Sequence, residues 1–190
     1  MPVINGKSLL ARIPIQEMFL HKRKAHGTSY GLVEAGYDIR INQEVNFIPP
    51  DPVRLAELTY DGQKSYTDEY YQVLIHEAFH GYTLVDGKKT LGRMVLASSV
   101  EEFDMPADLV GVVHDKSTWA RQGLSVFNTV IEPGFKGGLT LELVFHGNEE
   151  LIIPAGAGIA QVIFTSLAHD ARYEGKYQNQ STDPTPAIFD

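Results

Sequence analysis

The amino-acid sequence predicts an all-β protein, and three observations support this fold class. From residue 70 onward, short runs rich in β-branched and aromatic residues recur at roughly 8–12-residue intervals. Turn-forming residues, such as Asp86-Gly87 and Pro154-Ala155-Gly156, separate these runs. In that part of the chain, we interpret only residues 115–121 as a helical turn. Short strands without intervening helices are typical of a sandwich or barrel and not of a βαβ fold.

The first 69 residues have weaker patterns than the rest of the chain. We expect a short helix around residues 15–24. Residues 37–41, with the sequence YDIRI, alternate apolar and polar side chains and predict a strand. The prolines in residues 49–52 end that pattern. Residues 53–69 are polar and weakly patterned, so we expect a surface excursion there.

The remaining elements are predicted in order from residue 71. The expected strands comprise residues 71–75, 82–85, 94–97, 109–113, 124–130, 139–145, 151–153 and 159–164. Asp86-Gly87 is a strong signal for a hairpin between two of them. Asp115 is available as the N-cap of the helical turn. The tail from residue 168 is polar and proline-containing, and we expect a mobile arm attached to one domain that spans residues 1–190.

Composition limits the classes of function. The chain has 190 residues, of which 43% are hydrophobic and 21% charged, as in an ordinary globular domain. A net charge of −8 with scattered basic residues argues against nucleic-acid binding, although a few Lys and Arg residues suffice for a small anion. No apolar stretch approaches the roughly 18 residues of a membrane span, and a secretory signal is not evident. We therefore expect a cytoplasmic protein. Without cysteine, the chain has no disulfide, thiolate metal ligand or thiol nucleophile.

Residues 114–121, HDKSTWAR, place two cations and two hydroxyl groups at the start of a short helical turn. Free N–H groups at a helix start, together with Ser, Lys and Arg side chains, form a natural phosphate cradle. An ordinary capped surface turn explains the same residues equally well.

Residues 139–143 predict a strand with Leu139, Leu141 and Leu143 on one face and Thr140 and Glu142 on the other. A strand glutamate either faces solvent, which is the commoner case, or lies in a site. If it is desolvated, its pKa rises and it becomes suited to moving protons near neutral pH.

Residues 76–80, HEAFH, match the zinc-binding pattern H-E-x-x-H, which requires a helix. The aromatic and β-branched residues before the motif and Gly81 after it favour a strand or turn. On a strand, Glu77 points away from the two histidines and the zinc geometry fails. A structural histidine pair is therefore preferred to a zinc protease.

Several runs together resemble the dCTP deaminases and their dUTPase relatives, of a compact bacterial or phage type. The matching runs are ADLVGVVHDKSTWARQGL at residues 107–124, IEPGFKGGLTLEL at 131–143 and IPAGAGIAQVIF at 153–164. AGYDIR at residues 35–40 and RYEGKYQNQ at 172–180 extend the resemblance, which is good over about residues 94–180. The family implies a homotrimer of distorted jelly-roll (β-clip) subunits with short helices, active sites between neighbouring chains and a C-terminal arm that closes over the nucleotide.

The resemblance also implies roles for individual residues. Glu142 matches the catalytic glutamate, while Ser117 and Arg121 position the water and stabilise developing charge. The implied nucleotide-binding residues are Lys116, Ser117, Thr118, Arg121, Asn128, Thr129, Glu132, Thr140, Leu141, Glu142, Tyr173, Lys176 and Gln180. Glu132 replaces the aspartate usual before Pro-Gly. The hairpin between residues 124 and 132 is two residues shorter than in typical members, which leaves the identity of the base open.

The resemblance favours metal-free deamination of dCTP to dUTP and ammonia in a bacterial cell or phage-infected host. Magnesium would arrive on the triphosphate. No zinc is expected, since zinc-dependent cytidine deaminases require cysteine ligands that this chain lacks. Alternatives are a dUTP diphosphatase that uses Glu132 to activate water, a bifunctional enzyme, and a silent nucleotide-binding regulator.

Overall fold

The computed structural model describes residues 2–60 and 69–189, and these residues form a mainly β architecture. The strands are β1 (Val3–Ile4), β2 (Arg23–Ala25), β3 (Thr28–Val33), β4 (Gly36–Arg40), β5 (Val45–Ile48), β6 (Tyr82–Val85), β7 (Lys88–Leu91), β8 (Met94–Asp104), β9 (Leu109–Asp115), β10 (Leu124–Val126), β11 (Val130–Ile131), β12 (Lys136–Phe145), β13 (Leu151–Ile153) and β14 (Gly158–Ser166). The helices are α1 (Gly6–Arg12), α2 (Pro52–Tyr60), α3 (Glu69–His80) and α4 (Ser117–Ala120). The prediction of a mainly β fold is confirmed.

The strands form three antiparallel sheets within the described residues. The largest has the order β11-β9-β14-β4-β3-β2, and β1 also pairs with β14. The second has the order β10-β12-β8, and the third β13-β5-β6-β7. Strand β12 is central in the second sheet. As in any strand, its side chains alternate between two faces, here the core and the opposite face. This alternation positions the candidate site.

One hydrophobic core joins the sheets. Its largest fully buried side chains include Tyr37, Phe47, Phe103 and Phe164. Burying side chains of this size stabilises the fold by about 1.5–3 kcal/mol each. The indole of Trp119 is also buried and donates a hydrogen bond to the carbonyl of Gly158 over 2.8 Å, which ties α4 to β14.

The hairpin prediction at Asp86-Gly87 is confirmed. Strands β6 and β7 pair directly across these two residues. Both have positive φ, 46° for Asp86 and 74° for Gly87, as a type I′ turn requires. Of the surface excursion expected at residues 53–69, residues 53–59 belong to the largely exposed helix α2, and residues 61–68 lie outside the described residues.

The short helix expected at residues 15–24 is wrong. The first helix, α1, ends at Arg12, and Ile15 forms an isolated bridge with Phe103. Residue Glu17 has a φ of 52°, which a right-handed helix does not contain. The amide of Gln16 donates to the carbonyl of Glu102 over 2.8 Å. Contacts with β8, remote in sequence, thus override the local pattern.

The strand expected at residues 71–75 is also wrong, because these residues lie in α3. Tyr71 and Ala78, seven residues apart, are buried on one side of this helix. Glu69 in the first turn and His80 in the last match the polarity of the helix dipole.

No helix among the described residues is long and apolar enough to cross a membrane.

Two smaller expectations require correction. Lys116, not Asp115, precedes the first residue of α4 as its N-cap, and its side chain makes no capping bond. Asp115 ends β9, and its carboxylate accepts a hydrogen bond from the amide of Val126 over 2.7 Å. The strand expected at residues 124–130 is divided into β10 and β11, since β10 pairs with β12 whereas β11 pairs with β9.

Candidate active site

Strand β12 presents Thr140 and Glu142 on the face opposite the core. The side chains of Leu141 and Leu143 are buried in the core, as the alternation of the sequence predicts. The side chain of Leu141 therefore cannot contact a ligand on the Glu142 face, so any contact from this residue would involve its backbone. Glu142 lies between two apolar cross-strand neighbours, because it pairs with Leu96 and its carbonyl accepts from the amide of Phe127 over 3.0 Å.

A cavity of about 500 Å³ opens over this face of the second sheet. Its volume lies in the range of small-ligand sites in proteins. Of the residues predicted from sequence, those that line it are Thr129, Glu132, Thr140, Glu142, Tyr173 and Gln180. The cavity also has apolar walls, to which Met94, Leu96, Ile131, Phe135 and Leu139 contribute. A mixed lining of this kind suits a flat, partly polar ring.

Glu142 is the electrostatically unusual residue of the cavity. Its Oε2 atom is buried and has no hydrogen-bond partner in the described part of the chain. Burial raises the pKa of the Glu142 carboxyl, although a backbone hydrogen bond partly opposes this shift. An unsatisfied buried carboxylate oxygen is costly, so it needs a donor from water or a ligand.

The C-terminal segment brings Gln180 to the cavity. Gln180 forms a parallel bridge with Gly137, and its carbonyl accepts from the amide of Gly138 over 3.1 Å. A Cβ atom on Gly137, whose φ is 117°, would lie 2.4 Å from the carbonyl oxygen of Gln180. The absence of a side chain at residue 137 therefore permits this contact. The Oγ1 of Thr140 donates to Oε1 of Gln180 over 2.9 Å and fixes the orientation of its amide.

The same segment is anchored beyond Gln180. The carbonyl of Thr182 accepts hydrogen bonds from the hydroxyl of Ser98 and from Nδ2 of Asn42, the latter over 3.1 Å. Tyr173 packs against Phe135 with ring centroids 6.3 Å apart. In this structure the segment is docked on its own chain. The expected mobility of residues 168–190 remains a prediction.

The residues predicted on α4 do not line this cavity. Ser117, Thr118 and Arg121 are exposed elsewhere on the same chain, so one chain does not bring Ser117 and Arg121 to Glu142. The ammonium group of Lys116 is ion-paired with the buried carboxylate of Asp38 and donates to the hydroxyl of Ser29 over 2.9 Å. A phosphate group would have to compete with these two partners for Lys116.

The other two predicted residues, Asn128 and Lys176, lie on exposed segments outside the cavity lining. Asn128 immediately precedes Thr129, which does line it. The ammonium of Lys176 donates to the carbonyl of Ile188 and lies 5.8 Å from the ring centroid of Tyr177.

Sequence reasoning missed Met94, Leu96 and Tyr177, which also line the cavity. Alternation along β8 could have placed Met94 and Leu96 on the face opposite Val95 and Ala97. The sequence contains no local signal that β8 pairs with β12, since residues 105–135 lie between the two strands.

The H-E-x-x-H stretch is helical, contrary to the expected strand or turn. His76 and His80 lie on one exposed face of α3, with ring centroids 4.5 Å apart. Glu77 is buried and forms an ion pair with Lys89, with 2.9 Å between the charged atoms. Among the described residues, no three histidine or acidic side chains cluster as metal ligands. Glu77 is thus already engaged and does not adjoin a metal centre as a free base.

Comparisons with known proteins agree with one another. A family model described as dCTP deaminase-like matches residues 17–167. The dCTP deaminase of Sulfurovum sp. strain NBC37-1 is 34% identical over 173 residues, covering 85% of this chain and 81% of that protein. The dCTP deaminase of Hyperthermus butylicus is 33% identical over 158 residues, covering 80% of this chain and 84% of that protein.

A solved structure has a similar fold. The 2'-deoxycytidine 5'-triphosphate deaminase from Agrobacterium tumefaciens superposes with a TM-score of 0.50 at 15% identity. The match covers 88% of this chain and 48% of that chain. At this identity the likeness concerns the fold alone.

Proposed function

The chain belongs to the dCTP deaminase-like family, and from this premise we propose that it hydrolyses dCTP to dUTP and ammonia. The observation that carries the proposal is Glu142, a carboxylate with a buried, unpartnered oxygen in a cavity of about 500 Å³. Such an oxygen is ready to accept a proton from a bound water. The raised pKa of Glu142 makes its carboxylate a stronger base than an exposed glutamate.

In the proposed reaction, Glu142 takes a proton from water while the water oxygen bonds to C4 of cytosine. The tetrahedral intermediate then collapses as the bond between C4 and the amino nitrogen breaks. Glu142 passes the protons of the water to N3 and to the departing amine, so the products are uracil and ammonia. Magnesium enters with the substrate on its phosphate oxygens.

Gln180 is proposed to bind the base. Its Oε1 atom accepts the hydroxyl proton of Thr140, so the Nε2 end of the amide is left to donate. The O2 and N3 atoms of cytosine are acceptors that fit such a donor. Thr140 thus acts as a positioning residue for Gln180, while Tyr173 supplies an aromatic wall.

Ser117 and Arg121 enter the proposal from a neighbouring copy of the chain. Within one chain they lie outside the Glu142 cavity. Two exposed apolar side chains line this cavity, namely Met94 and Val130, with 47% and 55% of their surface exposed. Apolar groups around a site favour its coverage by another protein surface. We therefore include a homotrimer with shared sites in the proposal. A cytoplasmic location is also part of the proposal.

The test is a product assay with dCTP and, separately, dUTP in the presence of magnesium. Ammonia and dUTP from dCTP are the expected products. The Glu142→Gln variant should lower this rate by about 10³-fold or more, because it removes the group that moves the protons. Glu149→Gln, an exposed change of the same chemistry, serves as the matched control. Absence of ammonia from dCTP with the parent protein would overturn the proposal.

A dUTP diphosphatase is the second candidate, because Glu132 lines the same cavity as Glu142. Release of pyrophosphate and dUMP from dUTP, abolished by Glu132→Gln, would establish this activity. If ammonia is also released from dCTP, the enzyme is bifunctional.

A further inference from the structure

The surroundings of Glu142 differ in polarity along the sheet. On one side, Thr140 pairs with Ser98 across the strands, and Gln180 bonds to Thr140. Directly opposite the carboxylate is Leu96, and on the other side Val144 pairs with Met94. Polar groups therefore lie on one side of the Glu142 carboxylate. Apolar side chains lie directly opposite it, at Leu96, and on its other side, at Met94.

Cytosine has the same asymmetry about its reacting carbon. Atoms N3 and O2 lie on one side of C4 and require hydrogen bonds, whereas C5 lies on the other side and carries only hydrogen. With C4 next to Glu142 and the polar edge of the ring against Gln180, the C5 edge faces Leu96 and Met94.

These two side chains also adjoin a second cavity. It has a volume of about 430 Å³, and both Met94 and Leu96 belong to its lining as well as to that of the Glu142 cavity. They are therefore not backed by close-packed core at this point. Methionine is unbranched and flexible, so it adapts readily to an added group.

We propose that the site accepts a small alkyl group on C5, so that the chain also deaminates 5-methyl-dCTP to dTTP and ammonia. The inference rests on the proposed deaminase function. Water oxygen bonds to C4, the bond from C4 to the amine breaks, and the methyl group on C5 is unchanged. Leu96 and Met94 are the residues that determine whether the methyl group is tolerated.

The experiment compares kcat/KM for 5-methyl-dCTP and for dCTP, with dTTP, dUTP and ammonia each quantified. We expect a ratio between about one and about four, because transfer of one methyl group to an apolar wall contributes at most about fourfold. Met94→Phe and Leu96→Phe fill the space and should lower this ratio at least about tenfold. Met94→Leu, which nearly conserves volume, should leave the ratio unchanged. Because the ratio is taken within each variant, a loss of folded protein cancels.

Two failures are distinguishable. Ammonia from dCTP together with a ratio below about one in a hundred would overturn the inference and leave the proposed function intact. Release of ammonia from neither nucleotide would overturn the proposed function and the inference with it. An unchanged ratio in both phenylalanine variants would also overturn the assignment of Met94 and Leu96.

Discussion

Glu142 combines its proposed catalytic role with an energetic cost, and the two have the same origin. Its carboxyl group is partly buried, and the Oε2 atom is fully buried and unpartnered, so the charged form is destabilised in the folded protein. The same desolvation raises its basicity toward a bound water. A site residue that opposes folding in this way is typical of enzymes, in which stability and activity compete.

This cost predicts a pH-dependent stability difference for Glu142→Gln. Because the pKa of Glu142 is raised above its ordinary value of 4.5, the folded state holds its proton to higher pH than the unfolded state. Stability therefore falls as pH rises through that window. We expect the variant to be about 1 kcal/mol more stable near neutral pH, and equal to the parent protein at pH values below 4.5.

Urea unfolding at fixed protein concentration, repeated across this pH range, measures the difference. The exposed substitution Glu149→Gln should show no comparable pH-dependent gain. A Glu142→Gln variant that is less stable than the parent near neutral pH would contradict the prediction, since it would mean that the carboxylate has a stabilising partner.

Lys116 provides a second test at the residue scale. Its side chain is 10% exposed and that of Asp38 is 5% exposed, so both charges of this ion pair are largely buried. Lys116→Met should lower the free energy of unfolding by about 3–5 kcal/mol, because Asp38 is left charged and unpaired. The double variant Asp38→Asn with Lys116→Met should recover most of the loss.

The measurement is denaturant unfolding together with KM for dCTP. If phosphate binding were the main role of Lys116, the single variant would raise KM and leave stability nearly unchanged. Large destabilisation, relieved in the double variant, indicates instead that the ion pair with Asp38 dominates.

At the scale of elements, the C-terminal segment depends on the lack of a side chain at Gly137. Gly137→Ala would direct a Cβ atom to 2.4 Å from the carbonyl oxygen of Gln180 and displace the segment. We expect KM for dCTP to rise about tenfold or more, because misplacement of a substrate-positioning group by 1 Å is costly. Gly156→Ala is the control, since Gly156 also has a positive φ, 81°, but its Cβ would meet nothing within 4 Å.

Steady-state kinetics and thermal unfolding of both variants separate the displacement of the C-terminal segment from the backbone strain of the substitution itself. Both substitutions should lower stability by about 1 kcal/mol through backbone strain. Only Gly137→Ala should change KM. An equal KM in the two variants would show that docking of the segment does not contribute to substrate binding.

The elements that could be predicted from sequence are those with local signals. Alternation in residues 140–145 correctly separated the faces of β12, and Asp86-Gly87 correctly predicted a type I′ hairpin. Leu139, which was expected on the core face, also lines the cavity, because the register of β12 shifts at this residue. Helix α3 was mistaken for a strand, because its aromatic and β-branched residues suggest a strand while its burial follows helical spacing. The helix expected at residues 15–24 failed for a different reason, namely the contacts of this segment with β8.

In the candidate site, too, only the residues with a local signal or a family resemblance could be predicted from the sequence. The sequence indicated Thr140 and Glu142 as a pair on one face, and the family resemblance indicated Gln180. Met94 and Leu96 were missed, because they reach the cavity only through the pairing of β8 with β12. The separation of Arg121 from Glu142 within one chain likewise depends on the whole fold, and the spacing of the two residues does not reveal it.

At the scale of the whole molecule, the proposed machinery is divided within one chain, because Ser117 and Arg121 do not line the cavity that contains Glu142. The Glu142 cavity lies on the second sheet, whereas Ser117 begins α4 and Arg121 directly follows it, after the end of β9 in the first sheet. A closed ring of copies brings unlike surfaces of neighbours together at every interface. Each active site would then combine Glu142 of one copy with Arg121 of the next.

This arrangement predicts complementation between two inactive variants. Glu142→Gln and Arg121→Ala should each be inactive alone. Co-expressed in equal amounts, they should form mixed trimers with about a third of the parent activity, because one of the three sites in each mixed trimer then combines an intact Glu142 with an intact Arg121. Arg121→Ala co-expressed with Ser117→Ala is the control and should stay inactive, since both changes lie in residues 117–121 and no site would then have both side chains intact. Ammonia release from purified mixed trimers is the measurement, and its absence would mean that the sites are not shared between copies.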